Sequence, residues 1–161
     1  MKYDIEKLEE GILALIQENI PAKIAEINAE KADGILLQTP TTDQYFNTTD
    51  DEVNNNTLSV MYGIIDGSPL SIGSNTAEDN RYALLFYLDE KNQAAGVVRK
   101  KLLRYIRASK EIFEENFHSK LKFVSSLKVE TIAPTTASWD SNETSPTYKV
   151  GGVLIQASLV G

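Results

Sequence analysis

Residues 147–161 read TYKVGGVLIQASLVG and hold the clearest strand pattern in the chain. Val153, Ile155, Ala157 and Leu159 fall on one face of an extended chain, and Leu154, Gln156, Ser158 and Val160 on the other, because side chains alternate with a period of two. The first face is wholly apolar and predicts burial against a core. The second is half polar. In a lone chain it lies under a helix or in water; in an assembly it can help carry a sheet into a neighbouring subunit. Gly151-Gly152 predicts a bulge or a close backbone approach. The natural partner of this strand, from Tyr148 to Val160, is LKFVSSLKVETIA (121–133), bent at Ser125-Ser126. The antiparallel pair is joined by a polar loop over 134–147 that carries the only tryptophan, Trp139.

Outward from this pair, VVRKKLLRYIRASKEIFEENF lies within a long predicted helix over 94–118. Val98, Leu102, Tyr105, Ile106, Phe113 and Phe117 make its inward stripe, and Lys100, Arg104, Arg107, Glu111 and Glu115 the opposite one. RYALLFYL (81–88) is apolar on both faces, which predicts a covered central strand. TLSVMYGII (57–65) predicts another strand, closed by turn chemistry at Asp66-Gly67. A loop follows over 68–80, with a short return strand at 70–72. At the start, Ile5, Leu8, Ile12, Leu15 and Ile16 predict a helix from Asp4 to Asn19, with Asp4 as its N-cap. Pro21 is expected to break it and start a second helix to Asp33, stopped by Gly34. Residues 38–57, QTPTTDQYFNTTDDEVNNNT, lack apolar periodicity and predict a long acidic loop or arm. It is either disordered or an arm that orders on a neighbouring subunit with Tyr45 and Phe46 as anchors. The expectation is a single α+β domain over 1–161: a mostly antiparallel sheet of about four or five strands, packed by N-terminal helices and one long helix.

Composition narrows the chemistry. There is no cysteine, so disulfides, thiolate metal sites and cysteine nucleophiles are excluded. His118 is the only histidine, and at a helix end a cation there suits the dipole. No phosphate-cradling Gly-rich loop and no Gly-x-Ser-x-Gly elbow occurs. The expectation is a protein that is not an enzyme, with no cofactor or metal. No apolar run approaches the about 20 residues that span a bilayer, and the first six residues do not resemble a secretory signal. A soluble, cytoplasmically made chain is expected.

The net charge of −7 is unevenly spread. Residues 32–80 carry 8 acids and no Lys or Arg, whereas residues 81–128 carry 11 basic groups against 5 acids. Such a split chain can attract copies of itself. Arg99, Lys100, Lys101, Arg104, Arg107 and Lys110 cluster in the N-terminal half of the long helix, where positive charge opposes the dipole. Something must compensate. Solvation, an acidic surface on a neighbouring chain and nucleic acid are the three readings. Asp50-Asp51-Glu52, the densest acidic run, lacks the spacing of a calcium loop and is either solvated or an acidic surface with a physical task.

YDIEKLEEGILALIQENI, RYALLFYLDE, VVRKKLLRYIRASKEIFEENF and TYKVGGVLIQASLVG, in this order, give the chain a resemblance to the tail terminator (tail completion, or head-to-tail joining) proteins of long-tailed bacteriophages. The resemblance is one of length, order and pattern over most of the chain. It implies a small α+β virion protein, made in the host cytoplasm, that forms a ring, typically hexameric, at the head-proximal end of the tail tube. Its partners would be copies of itself, the tail tube protein and neck or connector proteins. DNA would pass through without specific binding. Arg99, Lys100, Lys101, Arg104, Arg107, Tyr45, Phe46 and Val160 are then candidates for the subunit interface. Asp43, Asp50, Asp51 and Glu52 are candidates for an acidic lumen that repels phosphate. Other neck or connector proteins are an alternative, as is a binding module that uses the 38–57 and 134–147 loops.

Overall fold

The computed structural model describes residues 4–49, 57–69, 77–90, 93–138 and 147–160. Two helices lie on one face of a five-stranded sheet in an α+β arrangement. The strands are β1 (Tyr45–Asn47), β2 (Leu58–Pro69), β3 (Ala77–Leu88), β4 (Val124–Ser138) and β5 (Thr147–Val160), in the sheet order β1-β2-β3-β5-β4. All pairs are antiparallel except β1 with β2. The helices are α1 (Ile5–Lys31) and α2 (Ala95–Lys120).

β5 pairs with β4 as expected, and also with β3 from Lys149 to Val160. It is therefore an interior strand whose backbone is already bonded on both sides. The idea that it carries the sheet into a neighbour is corrected on this ground: the sheet's edges are β1 and β4. Val153, Ile155, Ala157 and Leu159 are buried in the core, as their alternation requires. Gly152 marks a close approach. A Cβ there would stand 2.0 Å from the Leu84 carbonyl oxygen, inside any van der Waals radius. The extra residue beside Gly151 is on β4, where the register shifts between Ile132 and Thr135 so that two residues oppose Gly151; a second shift between Val124 and Ser126 falls at the expected bend.

α1 runs through Pro21 as one helix, correcting the expected break. Pro in a helix interior costs about 3 kcal/mol. Ile20, Ile24 and Ile27 beyond or beside it are each at most 3% exposed. Each such burial contributes roughly 1.5–3 kcal/mol, so continuing the stripe Leu8, Ile12, Leu15, Ile16, Ile20, Ile24, Ile27 outweighs the lost bond. Asp4 caps the start by accepting the Lys7 N–H at 2.9 Å. The helix ends at Lys31, two residues earlier than expected, and is capped by Ala32 in the left-handed region, whose N–H donates to the Asn28 carbonyl.

Two strands outrun their expected ends. β2 continues through Asp66-Gly67, because Asp66 faces Arg81 across the sheet and bonds it, and Ser68 faces Asp79. Residues 70–76, with the expected return strand at 70–72, lie outside the described residues. β4 likewise continues past Pro134 into the expected polar loop; Trp139 lies outside the described residues. The expected 38–57 loop contains a 3-10 turn (Thr42–Gln44) and β1, which lies parallel to β2. Two clamps hold its approach. Asn28 pairs with both the N–H and the carbonyl of Leu37. The Tyr105 hydroxyl accepts the Gln38 N–H at 3.1 Å and donates to its carbonyl at 2.7 Å.

Candidate functional site

The basic helix is the first place to look for an interface, and the fold puts it beside α1. The C-terminal half of α1 runs antiparallel along α2 and brings Glu30 and Asp33 opposite Arg107 and Arg104. Arg104, only 7% exposed, donates to the Asp33 carboxylate through both terminal nitrogens and to the Ile35 carbonyl at 2.8 Å. The guanidinium holds the Asp33 carboxyl down to about 2. Arg107 bonds Glu30 at 2.6 Å and Glu111, one turn on, at 3.2 Å. Beside Arg107, Glu30 is also pulled below the usual carboxylate range.

Lys101 bonds both oxygens of Glu90, which precedes α2, at 2.9 and 3.0 Å, and both side chains are largely buried. The acid that compensates the unfavourable end of the dipole is thus Glu90 of the same chain. Lys23 sits at 8% exposure among Glu26, Glu111 and Glu115, and the Glu115 carboxylate raises its pKa.

The basic cluster is therefore divided. Lys101, Arg104 and Arg107, three of the candidates for a subunit interface, meet carboxylates of their own chain, so the compensation the helix needs comes at least in part from within the fold. Of the polar stripe of α2, Arg104, Arg107, Glu111 and Glu115 pair with groups of α1 and the residues just after it. Arg99 and Lys100 are exposed and make no ion pair among the described residues.

Tyr45 and Phe46 are not isolated in an arm. β1 turns them to opposite faces of the sheet. Tyr45 packs on the main core with its hydroxyl buried and unbonded, and burial pushes that hydroxyl up to about 12. Phe46 packs with Met61, Leu85, Tyr87 and Val150 on the face away from the helices, its ring 6.1 Å from that of Tyr87. Asp43 lies exposed on the 3-10 turn, accepting a hydrogen bond from the Thr41 hydroxyl. Asp50, Asp51 and Glu52 lie outside the described residues. So do the side chains of His118 and Val160, although the Val160 backbone pairs with Ala77.

Glu9 was not expected to matter. Its carboxylate accepts the Ile64 N–H at 2.9 Å and the Asn47 side-chain amide at 3.0 Å. The β1–β2 register stops at Asn47↔Tyr62, so on the side away from β3 Ile64 has no strand to accept its N–H. Glu9 acts in place of that strand and ties α1 to the sheet edge. Gly63, at φ +147, makes room there: a Cβ would stand 2.7 Å from Thr48 Oγ1.

Among the described residues, no group of three or more His, Cys, Asp or Glu side chains could hold a metal ion, and no helix is long and apolar enough to cross a membrane. No family model matches the chain, and no curated protein matches it.

Proposed function

We propose that the chain is a structural virion protein of the tail-terminator kind, forming a ring, hexameric by the resemblance, that caps a phage tail tube and joins it to the neck. The observation that carries this reading is the charge left over after in-chain pairing. Arg99 and Lys100 stay exposed on α2 and make no ion pair among the described residues, while residues 32–80 supply acids and no Lys or Arg. Two unlike surfaces of opposite charge suit the heterologous contact from which closed rings are built. Acids near the lumen, with Asp43, Asp50, Asp51 and Glu52 as candidates, would keep passing DNA from adhering. Partners would be the tube and neck proteins.

Negative-stain imaging of the purified protein tests the proposal. The expected result is a six-fold ring with a central hole. Small single particles at high concentration, with and without tail tubes, would refute it.

A further inference from the structure

β4 is an edge of the sheet, and among the described residues no strand pairs with its outer side. Two register shifts, between Val124 and Ser126 and between Ile132 and Thr135, bend it at either end. Between them residues 126–132 make a regular run of seven residues with Val129 at its midpoint. Lys128 and Glu130 flank that midpoint, opposite Gln156 and Leu154 of β5 and so on the face away from the helices. Both are exposed, with their charged ends 3.4 Å apart. Leu127 and Val129 are half-buried on the helix face, where they pack on the core. Beside them lies a hollow of about 580 Å³, bounded by Phe113 and Glu114 of α2 and by residues 125–129. The run thus presents the outward backbone groups of an edge strand next to a space that can take the side chains of an added strand.

We infer that residues 126–132 are a docking edge for the same run of a second copy, paired antiparallel about a two-fold axis at Val129. The contact does not depend on the ring reading. It is isologous and closes at two copies, whereas a ring is built from heterologous contacts. Charge selects both the second copy and the register. With Val129 opposite Val129 of the second copy, each Lys128 stands directly opposite a Glu130, once on either side of the axis. Side chains so placed are about 5 Å apart at Cβ and attract when their charges are opposite. A slip of two residues one way sets Lys128 opposite Lys128, and the other way Glu130 opposite Glu130, and like charges in that position destabilise the pair. A slip of one residue turns the second copy's helices to the other face and takes its Leu127 and Val129 away from the hollow. Charges on an edge strand ordinarily keep other strands off. Here they have opposite signs and sit evenly about the midpoint, so a second copy satisfies them where a foreign strand leaves them unmatched.

The chain has no cysteine, so a single introduced thiol reads the register. Full-length Val129→Cys, Lys128→Cys and Glu130→Cys are oxidised with copper phenanthroline and run on a non-reducing gel. The proposed pairing brings the two Cα atoms at 129 to about 4.5–5.5 Å, within disulfide reach, and leaves those at 128 or at 130 about 7–8 Å apart. Val129→Cys should therefore form a covalent dimer at least about tenfold faster than the other two, although Val129 is the least exposed of the three. In sedimentation velocity, Lys128→Glu or Glu130→Lys alone should weaken the pairing of copies at least about tenfold. An equimolar mixture of the two should pair again, because opposite charges then face each other throughout. The urea midpoint, taken at a concentration where the wild type is dissociated, should stay in place in both, since the in-chain pair they break is exposed. Equal crosslinking at the three positions, no covalent dimer at any, or single reversals that pair as tightly as the wild type would overturn the inference and leave this edge to water or to a strand of another protein.

Discussion

Pro21→Ala asks whether α1 is one helix. The proline ring removes the N–H that would donate to the Gln17 carbonyl and crowds that carbonyl. Pro21 is exposed, so the exchange takes nothing from the core. Alanine is better than proline by about 3 kcal/mol in a helix interior, and this is the upper bound. The restored hydrogen bond alone contributes about 1 kcal/mol, which is the lower. The variant should be more stable by about 1–3 kcal/mol, and for a chain of this size its Tm should rise by at least about 2 °C. Urea unfolding followed by far-ultraviolet circular dichroism measures it, at equal protein concentrations because assembly would shift both midpoints. With two helices and Pro21 at the first position of the second, the missing N–H would have had no partner anyway and the fixed φ would help. An unchanged or lowered midpoint would therefore refute the continuous helix.

Gly152→Ala should cost more than about 3 kcal/mol or prevent folding, since the new Cβ meets backbone atoms of Leu84 and Leu85 that cannot swing aside; a wild-type urea midpoint would refute the close approach. Glu9→Ala strands the Ile64 N–H, takes one acceptor from the Asn47 amide and should cost about 1–3 kcal/mol, with Glu9→Gln milder because it keeps an acceptor oxygen. Equal losses in the two variants would refute the substitute-strand role. Asp33 is held down to about 2 in the folded chain, so its contribution is complete above the unfolded carboxylate range and is lost as pH falls from about 4 toward 2. Asp33→Asn should be less stable than the wild type at pH 6, and the gap should close by about pH 2. A gap independent of pH would mean that the Arg104–Asp33 pair does not act through charge.

The strands and helices of this fold were readable where one physical rule acted alone. In β5, alternation placed Val153, Ile155, Ala157 and Leu159 inward. In α2, three- and four-residue spacing placed Val98, Leu102, Tyr105, Ile106 and Phe113 inward. Errors arose where a local rule met a distant contact. Pro21 and Asp66-Gly67 carry strong local signals for a break and a turn. The core under Ile24 and Ile27 and the cross-strand Arg81 outweigh them. β1 has three residues and no alternation to detect; its existence depends on β2 alongside and on the Asn28 and Tyr105 clamps.

The charges show the same limit more sharply. A one-dimensional count treats Arg99, Lys100, Lys101, Arg104 and Arg107 as equivalent. Folding separates them by angle around α2: those turned toward α1 or the Glu90 segment find carboxylates, and those turned away do not. Which acid meets which base depends on the antiparallel stagger of α1 on α2, and that stagger is set by the apolar stripes, not by the charges. The Lys101–Glu90 and Arg104–Asp33 pairs are part-buried and less screened, whereas Lys31, Arg99 and Lys100 face water and are screened over roughly 8–10 Å at physiological salt. Added salt should therefore act on association before it acts on the fold. If assembly through the Lys100 surface were insensitive to salt at concentrations where the urea midpoint already falls, the division between internal and external charges drawn from the geometry would be wrong.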